Sequence, residues 1–193
     1  MSLILASNSQ IRRIMLEQAG LEFAVVPPDF DEALAKQGHG SDGESLARQL
    51  AEGKAASVAV GPGDWVIGSD STVSVDGTRY SKPRDRDQAA AHLRAFSGRT
   101  MLLSSAVALA QAGRVDWSHA ETALLTVRPL SEAFICSYLD GEWPDVGYCV
   151  GVFRMEGRGV TLFDRIDGSH FTILGMPLLP LLGALRERSL IIS

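Results

Sequence analysis

Leu3-Ile4-Leu5-Ala6-Ser7-Asn8-Ser9-Gln10-Ile11-Arg12-Arg13 is the stretch whose reading decides the fold. Leu3 to Ala6 is a short apolar run that reads as a buried strand. Ser7, Asn8 and Ser9 supply the small polar groups of a turn, and a helix follows from about Gln10 to Ala19, stopped by Gly20. Strand, turn and helix in that order open an α/β layer. The free N–H groups and positive dipole end of such a helix make an anion site. Arg12 and Arg13 add two guanidinium forks able to grip a triphosphate from two sides. The same residues also fit a plain N-cap followed by a solvated basic turn.

Working outward, Leu21 to Val26 reads as a second strand closed by Pro27-Pro28, and residues 29–43 read mainly as loop. Ser41-x-x-Glu44 is a capping box for a helix reaching about Val60. Trp65 to Ile67 and Thr72 to Val75 are strand-like, and Asp76-Gly77 signals a hairpin. A helix over Asp85 to Phe96 places Ala89, Leu93 and Phe96 on one face. Thr100 to Ala110 and Val115 to Val127 read as long strands joined through Ala112-Gly113. A helix from Ser131 to about Leu139, strands at Val150–Phe153 and Val160–Phe163, and a helix from Pro177 to Arg188 complete the chain. The class is α/β with a mixed sheet.

A chain of 193 residues suits one compact domain or two lobes sharing a core, and it is long enough to bury a real interior. Its formal charge of −5 lacks the global basic field of a general nucleic-acid binder, while a local Arg/Lys cluster still suits a phosphate compound. Apolar runs stay short of a membrane span. The N-terminal arginines follow the apolar run, the reverse of a signal peptide. Cys136 and Cys149 show no metal spacing, and His39, His92, His119 and His170 are scattered. A cytoplasmic, reduced, soluble protein is expected.

Several segments carry chemistry. In Ile67-Gly68-Ser69-Asp70-Ser71 a carboxylate stands just after a buried strand, where α/β folds place ligands. Asp70 there suits a divalent metal, proton removal from water, or the capping of a turn. Lys82, in Ser81-Lys82-Pro83, stands in an extended context after a hairpin. Asp29-Phe30-Asp31-Glu32 offers hard oxygen ligands of the kind Mg²⁺ or Mn²⁺ prefers, and also fits an acidic solvated loop. Lys54 lies inside an Ala-rich helix. Glu156, within Phe153-Arg154-Met155-Glu156-Gly157-Arg158-Gly159, reads as a turn residue between strands able to accept hydrogen bonds from a base edge or from backbone N–H groups. Asp164-Arg165-Ile166-Asp167 reads as a surface ion pair.

In their order along the chain these segments resemble the Maf family of nucleoside triphosphate pyrophosphatases. Leu3 to Ser9 with Arg12-Arg13 is similar to its opening L-A-S-x-S-P-x-R-R. Asp29-x-Asp31-Glu32, Lys54, Ile67 to Asp70, Lys82-Pro83, Gly157-x-Gly159, Leu162 to Ser169 and Gly175-Met176-Pro177-Leu178 follow in the family's order. The resemblance implies a two-lobed fold with an elongated mixed sheet flanked by helices, a central cleft and a possible homodimer. It implies hydrolysis between the α- and β-phosphates, with a divalent cation (Mg²⁺, Mn²⁺ or Co²⁺) as cofactor and neither nucleic acid nor membrane as partner. By position, Asp70 would be the proton acceptor, with Arg12, Arg13, Lys54 and Lys82 neutralising the triphosphate and Ser7 and Ser9 binding it. Glu32 and Asp70 would hold the metal, and Ile11, Ser71, Arg154 and Glu156 would set specificity. Gly68-Ser69-Asp70 and Phe153 to Gly157 resemble the branch acting on 7-methyl-GTP. Gln10, Ile11 and Ser71 depart from it, standing where that branch has Pro, an aromatic residue and Gln. Two alternatives stay open: a Maf-type enzyme of other or broad nucleotide preference, and a non-catalytic nucleotide sensor linked to cell division.

Overall fold

The computed structural model describes residues 2–37 and 42–192. β1 (Leu3–Ala6), α1 (Gln10–Gln18) and β2 (Ala24–Val25) come first, followed by α2 (Glu32–Ala35) and α3 (Gly43–Ser57). β3 (Trp65–Val75) turns back through β4 (Thr78–Tyr80), and α4 (Arg86–Phe96) leads into β5 (Thr100–Gln111) and β6 (Arg114–Val127). α5 (Glu132–Glu142), β7 (Phe163–Asp167), α6 (His170–Leu174) and α7 (Leu178–Glu187) complete the order. The strands form one mixed sheet in the order β2-β1-β3-β5-β6-β7, with β4 added to β3. β1 runs parallel to both β2 and β3, and every other pairing is antiparallel.

The register of β3 positions the site. β1 accompanies it only from Leu3↔Trp65 to Ala6↔Gly68, and β4 only from Val73↔Tyr80 to Val75↔Thr78. β5 runs along the other side of β3 for its whole length. Residues 69–72 therefore have a strand on one side and, among the described residues, none on the other. The same point divides the interior. Ile67 packs with Leu5, Met15, Leu16, Leu109 and Leu181, whereas Val73 packs with Leu93, Phe96, Met101, Leu125 and Tyr138. Between these two apolar clusters the buried side chains of β3 are polar, and each needs a partner to offset lost hydration. Ser69 Oγ lies 2.7 Å from the carbonyl of Ala106, and Thr72 Oγ1 donates to that of Gly43 at 2.9 Å.

α3 begins at Asp42, whose carboxylate accepts from the N–H groups of Glu44 and Ser45. Ser41 of the expected capping box lies outside the described residues, as does His39. Ala47, Ala51 and Ala55 pack against Ala106, Ala108, Ala110 and Ala120 of the sheet, a small-residue contact that lets helix and sheet approach closely. The approach is tightest at Gly68, where a Cβ would lie 2.2 Å from the carbonyl oxygen of Ala51 and 2.5 Å from the nitrogen of Ala55.

Other expectations are corrected. The two short strands expected either side of Gly68-Ser69-Asp70-Ser71 are one, because β5 pairs continuously from Trp65↔Gln111 to Val75↔Met101. The second strand shrinks to Ala24–Val25, and the loop expected over 29–43 contains α2. Residues 150–153 are not a strand: Val152 has a φ of 56° and is fully buried, so this apolar run fills the core without pairing. The run at Val160–Phe163 is mostly a 3-10 turn, Arg158–Leu162, with β7 following it. Arg165 and Asp167 do form the expected exposed ion pair. No helix among the described residues is long and apolar enough to cross a membrane.

Gly68→Ala tests the close approach. Overpacking of a rigid core typically costs about 1–3 kcal/mol, and here the clash is with backbone. A shift of at least that size in chemical denaturation, with loss of activity as α3 moves off β3, is expected.

Candidate active site

The edge of β3 left without a strand partner at residues 69–72 is bordered from two directions. Ser7, Asn8 and Ser9 leave β1 directly beyond Ala6↔Gly68, and Lys82 follows β4 directly beyond Val73↔Tyr80. α3 closes one face of the sheet here, and the contact at Gly68 brings Lys54 down to Asp70. The ammonium of Lys54 is buried and lies 3.3 Å from Asp70 Oδ2 and 2.7 Å from Glu32 Oε1. Glu32 reaches that position because Phe30 stacks on α3. Gly53 leaves room for its ring, which a Cβ there would meet at 2.3 Å. A glycine inside a helix costs roughly 1 kcal/mol relative to Ala, so its use at Gly53 is a packing requirement.

Glu32 is held between two lysines, since its other oxygen lies 2.8 Å from Lys36 Nζ. Partial burial would raise the Glu32 pKa, but the hydrogen bonds and charges of Lys36 and Lys54 outweigh it and hold the carboxyl at about 2. Of the other two carboxylates in this segment, Asp31 serves as the N-cap of α2, accepting from Ala33 and Leu34 at 2.9 and 3.1 Å. The triplet expected as a metal-binding group is thus divided, with Glu32 alone of the three at Lys54.

Arg12 approaches Asp70 from the opposite face. It is buried, and it donates from Nε to the carbonyl of Gly175 at 2.9 Å, from Nη1 to that of Ser69 at 2.8 Å and from Nη2 to Ser71 Oγ at 3.1 Å. Nη2 also stands 3.9 Å from Asp70 Oδ1. Burial lowers its pKa, and the charges of Asp70 and Glu32 work against that shift. Arg12 therefore does two things: it ties α1, β3 and the α6–α7 junction together, and it adds a fixed positive charge beside Asp70. Gly175, at a φ of 110°, is the hub of this arrangement, with Ser69 Oγ and Ser71 Oγ also within 3.1 and 3.2 Å of its carbonyl. In the sequence Gly175 stands out only as part of the segment Gly175-Met176-Pro177-Leu178. Its one local signal is its place two residues before the proline that opens the last helix.

The remaining expected residues fall at different distances from Asp70. Ser7 is buried and its Oγ accepts from the N–H of Ser9 at 3.1 Å. Ser9 is the N-cap of α1 by backbone geometry, yet its hydroxyl bonds none of the helix N–H groups. Ile11 is half-buried in the first turn. Ser71 directs its hydroxyl into the Arg12–Gly175 network and to Ser105 Oγ at 2.8 Å. Arg13 is not brought to Asp70: its exposed guanidinium pairs with Glu17 at 2.7 Å. It lines a depression of about 500 Å³ with Leu21 and Phe23.

Lys82 is exposed, and its charge, with those of Glu156, Arg154 and Asp145, acts on Cys149. Burial first and Glu156 second push the Cys149 thiol up to about 11, so it is a protonated thiol at neutral pH. Lys82 and Glu156 thus both lie within electrostatic reach of Cys149. Glu156 is exposed, whereas Arg154 pairs with Glu142 at 3.1 Å and Asp145 at 2.9 Å.

A buried ammonium flanked by two carboxylates, a buried guanidinium, an uncapped helix N-terminus and an exposed lysine beyond the hairpin suit a polyanion whose hydrolysis needs both charge neutralisation and a base. Comparison with known proteins agrees. The family model described as Maf-like protein matches residues 2–188. A 7-methyl-GTP pyrophosphatase of Rhizobium meliloti is 47% identical over 189 residues, covering 96% of this chain and 95% of its own. That of Rhizobium etli is 45% identical over 189 residues with the same coverage. A nucleoside triphosphate pyrophosphatase of Nitrobacter winogradskyi is 44% identical over 191 residues, 98% of this chain and 95% of its own. Among solved structures, the Ham1 protein of Staphylococcus aureus shares the fold at 16% identity, with a TM-score of 0.51 over 98% of this chain and 100% of its own. With nearly its whole length matched by the family model and by relatives more than 40% identical, the chain belongs to the Maf family.

Proposed function

We propose that this chain, a nucleoside triphosphate pyrophosphatase of the Maf type, acts by preference on 7-methyl-GTP, releasing the monophosphate and pyrophosphate. The observation that carries the reading is the Glu32–Lys54–Asp70 contact at the open edge of β3. In the reaction, Asp70 takes a proton from a water whose oxygen bonds to the α-phosphorus, the bond from that phosphorus to the α–β bridging oxygen breaks, and pyrophosphate leaves as the anion carrying that oxygen. Lys54 and Arg12 hold positive charge beside that base and offset the charge of the phosphates, which otherwise repel an incoming hydroxide. The N-terminal N–H groups of α1, with Ser7 and Ser9 before them, suit the phosphate chain, and Lys82 suits its other end.

The carboxylates fit a divalent cation held jointly with substrate. Asp70 and Glu32 come from two elements to flank the Lys54 ammonium, and both are the hard oxygen ligands that Mg²⁺ or Mn²⁺ takes, so a cation would sit beside that ammonium. No three metal-ligating side chains come together among the described residues. Phosphate oxygens and water would therefore complete the shell, as is usual for Mg²⁺. A cation so held supplies charge neutralisation and alignment of the triphosphate.

Two things support the finer reading, 7-methyl-GTP. Relatives 45% and 47% identical carry that name, and Glu156 offers an exposed carboxylate. A carboxylate accepts from the N1–H and N2–H₂ donors of a guanine edge and attracts the positive charge of its methylated form. Thymine offers it one donor only.

The test is pyrophosphate release with Mg²⁺ or Mn²⁺ across 7-methyl-GTP, GTP, dTTP, UTP, CTP and ATP. Highest kcat/KM on 7-methyl-GTP is expected; highest turnover of a pyrimidine nucleotide would discard the role given to Glu156, and silence on all six would leave a sensor. Lys54→Met is expected to lower kcat by about 10²–10³, the usual size for a lost charge-stabilising donor. Glu32 carries a pH signature. Its carboxyl is held below the usual 4.5, at about 2, so the stability it contributes is full above 4.5 and is lost as the pH falls towards 2. Glu32→Gln should flatten that part of an acid-unfolding curve without altering the alkaline side.

A further inference from the structure

Glu142 is the last residue of α5 and is 6% exposed. A carboxylate there is doubly disfavoured, by burial and by the negative end of the helix dipole. Its Oε2 accepts from Arg154 Nη2 at 3.1 Å, and Arg154 Nη1 lies 2.9 Å from Asp145 Oδ2 on the 3-10 turn Asp145–Tyr148 that follows. Arg154 is thus clamped between a buried and an exposed carboxylate. Its own backbone is clamped as well. Gly157 N–H donates to the Arg154 carbonyl at 3.2 Å, closing a turn around Met155 and Glu156. Gly159 packs so tightly that a Cβ there would lie 2.4 Å from the same oxygen and 2.7 Å from the Arg154 nitrogen. Gly157 in turn sits over Glu142, where a Cβ would lie 3.2 Å from Oε2. One helical turn earlier on α5, Tyr138 donates its hydroxyl to the carbonyl of Val152 at 3.0 Å. One helix therefore holds the 152–159 segment at two points, and Glu156 projects exposed from the middle of what it holds.

We propose that Glu142 is a positioning residue for base selection: through Arg154 it fixes the turn that presents Glu156, and Arg154 serves as the link between them. The inference rests on the role given to Glu156 above. It assigns the energetic weight of selectivity to an ion pair between a buried carboxylate and a partly exposed guanidinium. Without the Glu142 charge, Arg154 is left to its exposed partner Asp145, so the linked turn should loosen before the sheet does.

The experiment uses Glu142→Gln in the full chain, with two readouts. In nucleotide-free protein, amide exchange at residues 154–159 is expected to rise about tenfold, while amides of β3 and α3 keep their protection. In kinetics, KM for the preferred nucleotide of the wild type is expected to rise about five- to tenfold with kcat within about twofold, and its margin over the other nucleotides to shrink. Unchanged exchange at 154–159 overturns the proposal. So does an equal fall of kcat and kcat/KM accompanied by faster exchange in β3, which marks general destabilisation. Should Glu142→Gln fail to fold, Asp145→Asn breaks the exposed arm of the same clamp and must move both readouts in the same direction by a smaller amount; no movement in either overturns the proposal. A wild type that prefers another nucleotide corrects the substrate reading, and the KM comparison is then made on that nucleotide. A wild type that turns over none sinks the substrate reading alone, with the exchange experiment still deciding the clamp.

Discussion

Everything at the candidate site depends on how closely α3 lies on β3. That distance is set by the absence of a side chain at Gly68 and by alanines on both surfaces. Move the helix outward by the width of a methyl group and Lys54 no longer reaches Asp70. The buried ammonium would then lose the partners that make its burial tolerable. Gly53 has the corresponding role for the other partner, since without a place for Phe30 on the helix Glu32 would not meet the same ammonium. Two glycines and a stripe of alanines thus position three charges.

The sheet contributes a position as well as a scaffold. Its two apolar clusters lie to either side of residues 68–72, and the polar side chains between them are bonded by groups from α3, β5 and the α6–α7 junction. Arg12 belongs to the same arrangement. Three of its N–H groups are fixed by protein acceptors, so its charge stands beside Asp70 before any substrate arrives. Charge already in place needs little reorganisation during reaction, which is where electrostatic catalysis has its advantage.

Much of this was legible in the sequence, and the failures have physical causes. α1, α4, β5, β6 and α7 follow from periodicity, caps and turn signals, because local forces and tertiary packing agree there. The centre of β3 read as a break since Gly68-Ser69-Asp70-Ser71 has no strand character of its own; pairing with β5 overrides it. Val150–Phe153 read as a strand since an apolar run looks alike whether it pairs or only fills a core. Asp70, Lys54 and Glu32 were identified as a set through family resemblance, and their contact could not be read from spacing. Arg12 was expected on the phosphates. Its acceptors Ser69 and Gly175, 57 and 163 positions away, carry no local mark that they would bind it. Arg13, its neighbour, turns outward to Glu17, one helical turn on.

The central claim is that Asp70 acts as the base while the surrounding cations hold the nucleotide. Asp70→Asn keeps the shape and removes the proton acceptor, so the decisive measurement compares nucleotide affinity and single-turnover pyrophosphate release in this variant and the wild type. The account predicts retained binding with release slowed by about 10²–10⁴, the range for loss of a general base. Release within a few-fold of wild type would contradict it.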